Sequence, residues 1–226
     1  MGLSFSDSVL APALVDTRHQ YDRVFAIYVP IAAGVFVVVV LAIAVVVLRY
    51  RRRSPEQAGR WYENDRLEGA YVLLLGCVVA FLLYVSLSAE HQVDTVSARE
   101  HPSLTIDVTG AKWEWQFYYP AYRINLHSGT VGRQPLVVPT NETIRFNLTS
   151  ADVIHAFWVP ELRFKRDLTP GSTQQVNLVF THAGAFPGQC AEFCGLRHSD
   201  MVLSVHAVGA AQFRAWAAKG GRTSAP

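Results

Sequence analysis

Two long uncharged apolar runs constrain the fold of this chain more than any other feature of its sequence. The first run covers residues 24–48 and the second covers residues 69–89. A helix needs about 20 mostly apolar residues to cross the hydrocarbon core of a bilayer. A buried helix of a globular protein is the alternative, but such helices are rarely this long and this apolar. We therefore expect two transmembrane helices.

The first run is expected to be retained, and its flanks predict the orientation of both helices. A signal peptide carries its basic residues before an apolar stretch of about 7–15 residues, whereas here the arginine cluster Arg49–Arg53 follows the stretch. The positive-inside rule places that cluster in the cytoplasm. We expect a cytoplasmic loop over residues 49–68, with residues 1–23 and everything after Glu90 facing outward.

The periodicity changes after a predicted linker at residues 90–100. From residue 101, apolar and polar residues alternate, as in Leu104–Thr109 and Thr143–Leu148. A period of two is typical of half-buried strands, and Gly, Pro and Asn supply frequent turns. Residues 101–226 are thus predicted to form a β-sandwich or small barrel, with a short helix over residues 210–219.

Composition narrows the class of function. The net charge is only +2, and the chain has neither a basic run on a polar domain nor a nucleic-acid motif, so no nucleic-acid partner is expected. Three cysteines are too few for a disulfide framework. Cys77 lies in the second apolar run, while Cys190 and Cys194 are four residues apart.

The most informative motif is Cys190-x3-Cys194-x3-His198-x2-Met201, with His155 lying 35 residues upstream of the first cysteine. Thiolate, thioether and imidazole ligands select copper or zinc over hard cations. The methionine favours copper, because zinc sites use Cys, His and carboxylate. A mononuclear blue-copper site would need only one Cys.

The second cysteine allows a pair of copper ions. If Cys190 and Cys194 both bridge two ions, each ion has two sulfurs and one histidine, and Met201 and a backbone carbonyl complete the two sites. The alternatives are a structural disulfide in an oxidising compartment, a zinc site with the two histidines, and a Met201 that only fills the core. Six further histidines show no ligand spacing and are expected at the surface or in satisfied polar roles: His19, His91, His101, His127, His182 and His206.

On this motif the chain resembles subunit II of cytochrome c oxidase, from the first apolar run to Ala207. The resemblance implies a two-helix transmembrane hairpin followed by an all-β cupredoxin-like Greek-key domain, with a copper pair called CuA. In the family pattern His155 and Met201 share one copper, and His198 and the Glu192 carbonyl share the other. The implied ligands are His155, Cys190, Glu192 through its carbonyl, Cys194, His198 and Met201.

The resemblance also implies roles outside the copper ligands. The Glu192 carboxylate matches a residue that helps to bind magnesium at the boundary with subunit I. Trp113 matches the residue where electrons from cytochrome c enter, although Glu114 stands where the family usually has an aromatic residue. Glu68 matches a glutamate near the mouth of a proton channel. The alternatives are a core aromatic for Trp113 and a dipole-favoured acid at a helix N-terminus for Glu68.

The segment Val159–Asp167 is more basic than the family's preference for a cationic cytochrome c would suggest. The segment Val159–Asp167 resembles the part of the family that approaches subunit I, but it contains Arg163, Lys165 and Arg166. These charges argue against a uniformly acidic docking face of the kind that cationic cytochromes c prefer.

The function implied is that of a subunit of a respiratory, proton-translocating cytochrome c oxidase. It would accept electrons from cytochrome c at the dinuclear copper centre and pass them to haem in subunit I for O2 reduction coupled to proton pumping. Its partners would be the haem-bearing subunit I, other oxidase subunits, cytochrome c and membrane lipid. Its place would be the plasma (inner) membrane, multi-pass, with the copper domain on the outer, periplasmic side.

Three other functions would account for some of the same sequence features. A copper-bearing nitric oxide reductase subunit stays open, because the terminal chemistry lies in another chain. A membrane-tethered cupredoxin that only carries electrons is less consistent with the two spans and with Glu68, since one anchor would suffice. Quinol oxidase subunits of the same fold lack the copper ligands, which are all present here.

Overall fold

The computed structural model describes residues 17–49, 51, 63–99, 101–130 and 132–222. The chain divides into a helical unit, Gln20–His91, and a β-rich unit that continues from Gln92. The predicted N-terminal segment 1–23 lies mostly outside the described residues, as do Arg52 and Arg53 and most of the predicted loop 49–68.

The helical unit contains α1, Thr17–Arg49, and α2, Asp65–Arg99. Candidate membrane spans cover Gln20–Arg49 and Asp65–Val93, with mean hydropathies of 3.3 and 2.5. None of either apolar window is buried within the structure, so these are not the core helices of a globular domain. Their exposed apolar faces suit a lipid environment.

A polar contact joins the two helices. The Tyr28 hydroxyl donates to the Leu82 carbonyl at 2.9 Å and lies 2.7 Å from Ser86 Oγ. Such interhelical hydrogen bonds stabilise helix pairs where no water competes. This contact holds α1 beside α2 as a hairpin.

The ends of α2 follow from its sequence. Asn64 caps the first turn, because its side chain accepts a hydrogen bond from Leu67 N at 3.0 Å. At the other end the helix runs on to Arg99, through most of the predicted linker 90–100. No Gly or Pro occurs between Gly76 and Pro102, so the loss of apolar residues after Ala89 does not interrupt the helix.

The β-rich unit is built from two five-stranded sheets, ordered β3-β2-β1-β5-β8 and β4-β10-β9-β6-β7. The strands, in chain order, are β1 Leu104–Ala111, β2 Glu114–Tyr119, β3 Ile124–Gly129, β4 Leu136–Pro139, β5 Ile144–Ser150, β6 His155–Val159, β7 Phe164–Leu168, β8 Gln174–Leu178, β9 Gly184–Cys190 and β10 Val202–Val208. With the two apolar helices before it, this arrangement confirms the predicted fold class.

The core between the sheets explains the alternation in the sequence. Every second residue of β1 and β5 is buried, and the two strands pair in parallel with Leu104 opposite Ile144. Burying each large apolar side chain contributes about 1.5–3 kcal/mol. One tyrosine links the sheets: the Tyr119 hydroxyl donates to the Val137 carbonyl at 2.8 Å and accepts from Val137 N at 3.0 Å.

A short helix closes one end of this unit. Helix α3, Ala210–Ala218, buries Phe213 and Trp216. The Trp216 ring lies 5.5 Å from the Tyr119 ring, edge to face. Gly221, with φ of 71°, lies against Ile124 at the start of β3, so α3 marks the end of the β2–β3 pair farthest from Glu114 and Gly129.

Candidate metal centre

Two strands and one loop bring the sulfur and imidazole side chains together. His155 begins β6 and Cys190 ends β9, and these strands pair antiparallel with Phe157 opposite Cys190. The two ends of the loop that follows β9 lie side by side, because Cys190 N donates to the Met201 carbonyl at 2.9 Å. The sheet register therefore fixes both ends of the cysteine loop beside His155.

The thiol sulfurs of Cys190 and Cys194 lie 3.9 Å apart, and each has its own imidazole neighbour. His155 Nδ1 is 3.7 Å from Cys190 Sγ, and His198 Nδ1 is 3.4 Å from Cys194 Sγ. The ligand atoms of His155, Cys190 and Cys194 all lie within 4.8 Å of one another, and all three residues are buried. This is a compact, water-excluded set of soft donors.

Two weaker donors complete the set. Met201 is fully buried, and its Sδ lies 3.9 Å from Cys194 Sγ. The Glu192 carbonyl oxygen lies 3.3 Å from Cys190 Sγ. The structure thus brings all six predicted ligand residues together, with the thioether and the carbonyl as weaker donors than the thiolates and imidazoles.

The sulfur spacing suits a shared metal ion better than a disulfide. Both thiols are free, and 3.9 Å is far longer than the 2.05 Å of a sulfur–sulfur bond. Two sulfurs bound at about 2.3 Å to one tetrahedral ion would lie about 3.8 Å apart. The residues present therefore fit a metal held between the two cysteines.

Electrostatics prepare one cysteine for this role. Burial works against the Cys190 thiolate, but hydrogen bonds from His155 and from backbone groups outweigh it and lower the pKa of Cys190 to about 7. Burial and the neighbouring Cys190 charge raise the pKa of Cys194 to about 11. Cys190 is therefore the first of the pair to ionise, and a bound cation would favour loss of the second proton from Cys194.

A carboxylate outside the ligand set orients His155. Asp152 Oδ1 lies 2.8 Å from His155 Nε2, which leaves Nδ1 facing Cys190. Burial opposes the charged ring, yet the contacts with Cys190 and Asp152 raise the pKa of His155 above its usual value. A metal-binding His commonly donates its second ring N–H to a carboxylate. The i, i+3 spacing of Asp152 and His155 is the signal in the sequence that could indicate this contact.

Trp113 lies against the cysteine loop. Its ring is half-buried, and a Cβ built on Gly195 would lie 3.5 Å from indole Nε1. That Nε1 is buried and has no hydrogen-bond partner among the described residues. Trp115, in β2, also contacts the donor cluster: it is fully buried, and its Nε1 donates to the Met201 carbonyl at 3.3 Å.

The side chain of Glu192 points to a different partner from its carbonyl. Its Oε1 lies 2.6 Å from Lys165 Nζ, which also lies 3.4 Å from Asp167. Glu192 therefore offers a carbonyl to the sulfur cluster and a carboxylate to the half-exposed surface. Contact with Glu192 raises the pKa of Lys165.

Glu68 belongs to the helical unit. It lies exposed in the first turn of α2, and its backbone N donates to the Asn64 carbonyl at 2.9 Å. This position satisfies the helix dipole whether or not the carboxylate has another role.

A two-sheet domain with a Cys, His and Met donor cluster, preceded by two apolar helices, defines the class of membrane-anchored cupredoxin-like metalloproteins. Residues 104–208 match the family model described as cytochrome c oxidase subunit II, periplasmic domain. The periplasmic domain of subunit II of the Bradyrhizobium japonicum cytochrome oxidase is 32% identical, with a TM-score of 0.50, and the match covers 56% of this chain and 99% of that one. The chain belongs to the cytochrome c oxidase subunit II family, whose members are subunits of haem–copper oxidases.

Full-length relatives extend the similarity to the helices. The probable cytochrome c oxidase subunit 2 of Rickettsia prowazekii is 27% identical over 229 residues, covering 95% of this chain and 71% of that protein. The corresponding protein of Rickettsia bellii is 26% identical, covering 95% of this chain and 83% of that protein. The predicted family is thereby confirmed.

Proposed function

We propose that this chain is the electron-accepting subunit of a respiratory cytochrome c oxidase. In this role it takes electrons from cytochrome c at a dinuclear copper centre and passes them to haem in subunit I, for O2 reduction coupled to proton pumping. The observation that carries the proposal is the pair of free, buried thiol sulfurs 3.9 Å apart, each beside its own imidazole.

The donor count supports two copper ions. Six donors are more than one tetrahedral zinc ion uses. Sulfur and imidazole donors with a thioether favour copper. His155 and Met201 would serve one ion, and His198 and the Glu192 carbonyl the other. Two coppers sharing bridging thiolates would take up one electron with little change in ligand positions.

The chain's own residues prepare the site for that chemistry. Strands β6 and β9 fix His155 and Cys190 by their register, so few ligand atoms need to move. Burial of both cysteines and Met201 excludes water. Trp113 would connect the buried donors to the surface where a donor protein docks, because its half-buried ring lies against the cysteine loop.

Three further roles are part of the proposal. The Glu192 carboxylate would bind magnesium together with subunit I, in exchange for its contact with Lys165. Glu68 would relay protons at the cytoplasmic start of α2. The chain would lie in the plasma (inner) membrane as a two-span protein among the other oxidase subunits and lipid, with the β-rich domain on the periplasmic side.

Metal analysis and spectroscopy of the β-rich unit test the central point. Residues 101–226, expressed alone and loaded with copper, should be purple when oxidised, bind two coppers per chain, and show EPR coupling to two copper nuclei. Cys190→Ser and Cys194→Ser should each lose the coupled signal, because one bridge cannot hold both ions. A colourless zinc protein, or one copper per chain, would rule out the dinuclear centre.

A further inference from the structure

A groove carrying two arginines lies beside the candidate metal centre. It has a volume of about 680 Å³, and its polar lining includes Thr130, Arg133, Arg197, Ser199 and Asp200. Arg197 and Ser199 are the immediate neighbours of His198 in the cysteine loop. We refer to this feature, defined by Arg133 and Arg197, as the arginine groove.

The arginine groove adjoins the surface where Trp113 lies. Thr130, in the groove wall, donates its backbone N–H to the Trp113 carbonyl at 3.1 Å. The Trp113 ring lies against Gly195, and the next residue, Leu196, is 91% exposed. Phe193 of the same loop is 83% exposed as well, and neighbouring exposed apolar side chains of this kind mark surfaces that a partner covers. Trp113, Leu196 and the groove are therefore neighbouring parts of one face.

The carboxylates of this face are already engaged. Asp200 pairs with Arg197 at 3.0 Å, and Asp152 contacts His155 at 2.8 Å. Glu114 lies 3.7 Å from His127 Nδ1. Arg133 is exposed, and no carboxylate of the described part of the chain pairs with it. Of the two groove arginines, Arg133 is therefore the one that is free to pair with a carboxylate of a partner, because Arg197 is already paired with Asp200.

The charge of the whole β-rich unit has the same sign. Residues 92–226 contain twelve Lys and Arg against ten Asp and Glu, a net charge of +2. A lysine-rich partner would meet like charge at long range and again at the groove, which slows association. An acidic partner would be attracted by the unit and could place a carboxylate on the forked guanidinium of Arg133.

We propose that the electron donor docks on this face through an acidic rim, with a carboxylate in the arginine groove and an apolar contact on Leu196. The donor would be a c-type cytochrome, or a c-type haem domain, with carboxylates around its exposed haem edge. This proposal rests on the proposed function, because it specifies the chemistry of the donor that reduces the centre. Arg133 supplies specificity and association rate and is not an electron carrier.

The test uses the assembled oxidase and one haem protein in two charge states. Reduced mitochondrial cytochrome c, which is lysine-rich, is compared with the same protein after succinylation of its lysines. At low ionic strength the KM should be roughly five- to tenfold lower for the succinylated form, and it should rise as salt screens the attraction. Arg133→Glu should remove or reverse this preference, and Arg133→Gln should reduce it.

Arg214→Glu is the matched control. Arg214 is an exposed residue of α3, at the Tyr119 end of the β2–β3 pair, whereas the groove lies at the Gly129 end. Five residues of strand separate these ends by about 17 Å. Arg214→Glu makes the same change in net charge but should leave most of the preference for the succinylated donor.

Three outcomes would overturn the proposal. The first is a wild-type preference for the unmodified, lysine-rich cytochrome c, and the second is an equal effect of Arg133→Glu and Arg214→Glu on the KM ratio. The third is loss of haem and copper from the complex in both Arg133 variants, which would assign the groove to subunit assembly. Failure of the proposed function is a different result: neither form of cytochrome c would then reduce a fully copper-loaded complex.

Discussion

Asp152 Oδ1 lies 2.8 Å from Nε2 of the fully buried His155, while Asp152 Oδ2 accepts a hydrogen bond from Lys112 N at 2.9 Å. One carboxylate thus connects a candidate metal ligand with the residue that precedes Trp113. Because His155 is held through Nε2, its Nδ1 is directed to Cys190 without any metal. The site is therefore preorganised by a residue that binds no metal itself.

The first prediction concerns this carboxylate. Asp152→Asn should keep two coppers per chain but raise the reduction potential of the centre, because a negative charge that favours the oxidised form is lost. If the Asp152 charge stabilises the oxidised centre by about 1.4 kcal/mol relative to the reduced centre, its removal raises the one-electron reduction potential by about 59 mV. Potentiometric titration of the copper-loaded β-rich unit measures the shift.

The control for Asp152 is Glu142→Gln. Glu142 accepts a hydrogen bond from Ser103 Oγ at 2.8 Å, near the start of β1, whereas His155 packs against Gly110, near the end of that strand. Glu142→Gln removes a charge of the same sign and should leave the potential nearly unchanged. If the reduction potential of Asp152→Asn is unchanged, the Asp152 charge does not affect the centre and Asp152 only holds the loop in place.

The second prediction concerns Trp113. Trp113→Ala should slow reduction of the centre by cytochrome c far more than it changes donor affinity or copper content, because the indole spans the distance from the cysteine loop to the surface. Removing a half-buried indole should also lower the free energy of unfolding by about 1–3 kcal/mol. Stopped-flow reduction and chemical denaturation separate the two effects.

Tyr118→Ala provides a comparison for Trp113→Ala, since Tyr118 is an exposed aromatic residue of β2, the strand that follows Trp113. It should leave the reduction rate unchanged. If Trp113→Ala behaves in the same way with its copper intact, Trp113 is only a packing residue.

The third prediction concerns the Lys165–Glu192 pair. Lys165 Nζ lies 2.6 Å from Glu192 Oε1, so a divalent cation at that carboxylate must displace the ammonium group. In the assembled oxidase, Lys165→Gln should tighten Mn2+ binding in place of magnesium, and Glu192→Gln should weaken it. Mn2+ EPR reports the occupancy.

The copper signal provides the internal reference for this experiment. Both substitutions keep the Glu192 carbonyl, so the copper EPR spectrum should change little. Asp167→Asn, which alters the weaker contact of Lys165 at 3.4 Å, should have a smaller effect than Lys165→Gln. Equal Mn2+ affinity in wild-type and Glu192→Gln complexes would remove Glu192 from the magnesium site.

The fourth prediction concerns topology. A cysteine introduced at Ser224 should react with an impermeant maleimide added to intact cells, and one introduced at Ser54 should react only after the membrane is opened. Both positions lie outside the described residues, and the expectation rests on the Arg49–Arg53 cluster. The reverse labelling pattern would contradict a cytoplasmic loop between α1 and α2.

The sequence predicted the elements and the donors more readily than the contacts between them. Apolar length predicted both helices, and the alternation in β1 and β5 predicted strands, because each pattern is local. Polarity predicted a linker at residues 90–100, but α2 extends to Arg99, because helix ends depend on residues that break the helix. Cys190, Cys194 and His198 could be assigned from spacing because one loop carries all three.

Contacts that depend on strand pairing could not be predicted in the same way. Lys165 reaches Glu192 because β7 pairs with β6, which in turn pairs with β9, and no local pattern records that adjacency. The burial of Trp115 beneath Met201 also depends on how the two sheets face each other. These contacts adjust the environment of the donors, so the sequence alone was more informative about which donors come together than about what surrounds them.

The final prediction concerns Glu68 and has a matched control in the same helical turn. Asp65 and Glu68 are the two acidic residues in the first turn of α2, and a carboxylate there interacts favourably with the helix dipole by about 0.3–1 kcal/mol. If Glu68 has only that role, Glu68→Ala and Asp65→Ala should lower stability by similar small amounts and leave turnover normal. If Glu68 relays protons, Glu68→Ala alone should slow steady-state turnover.

Reduction of the copper centre by cytochrome c should remain fast in both variants, because it takes place in the β-rich unit and does not require proton uptake at α2. Oxygen consumption and the copper-reduction burst, measured on the same assembled complexes, therefore distinguish the two roles, and normal turnover in Glu68→Ala would leave Glu68 as a helix-capping acid.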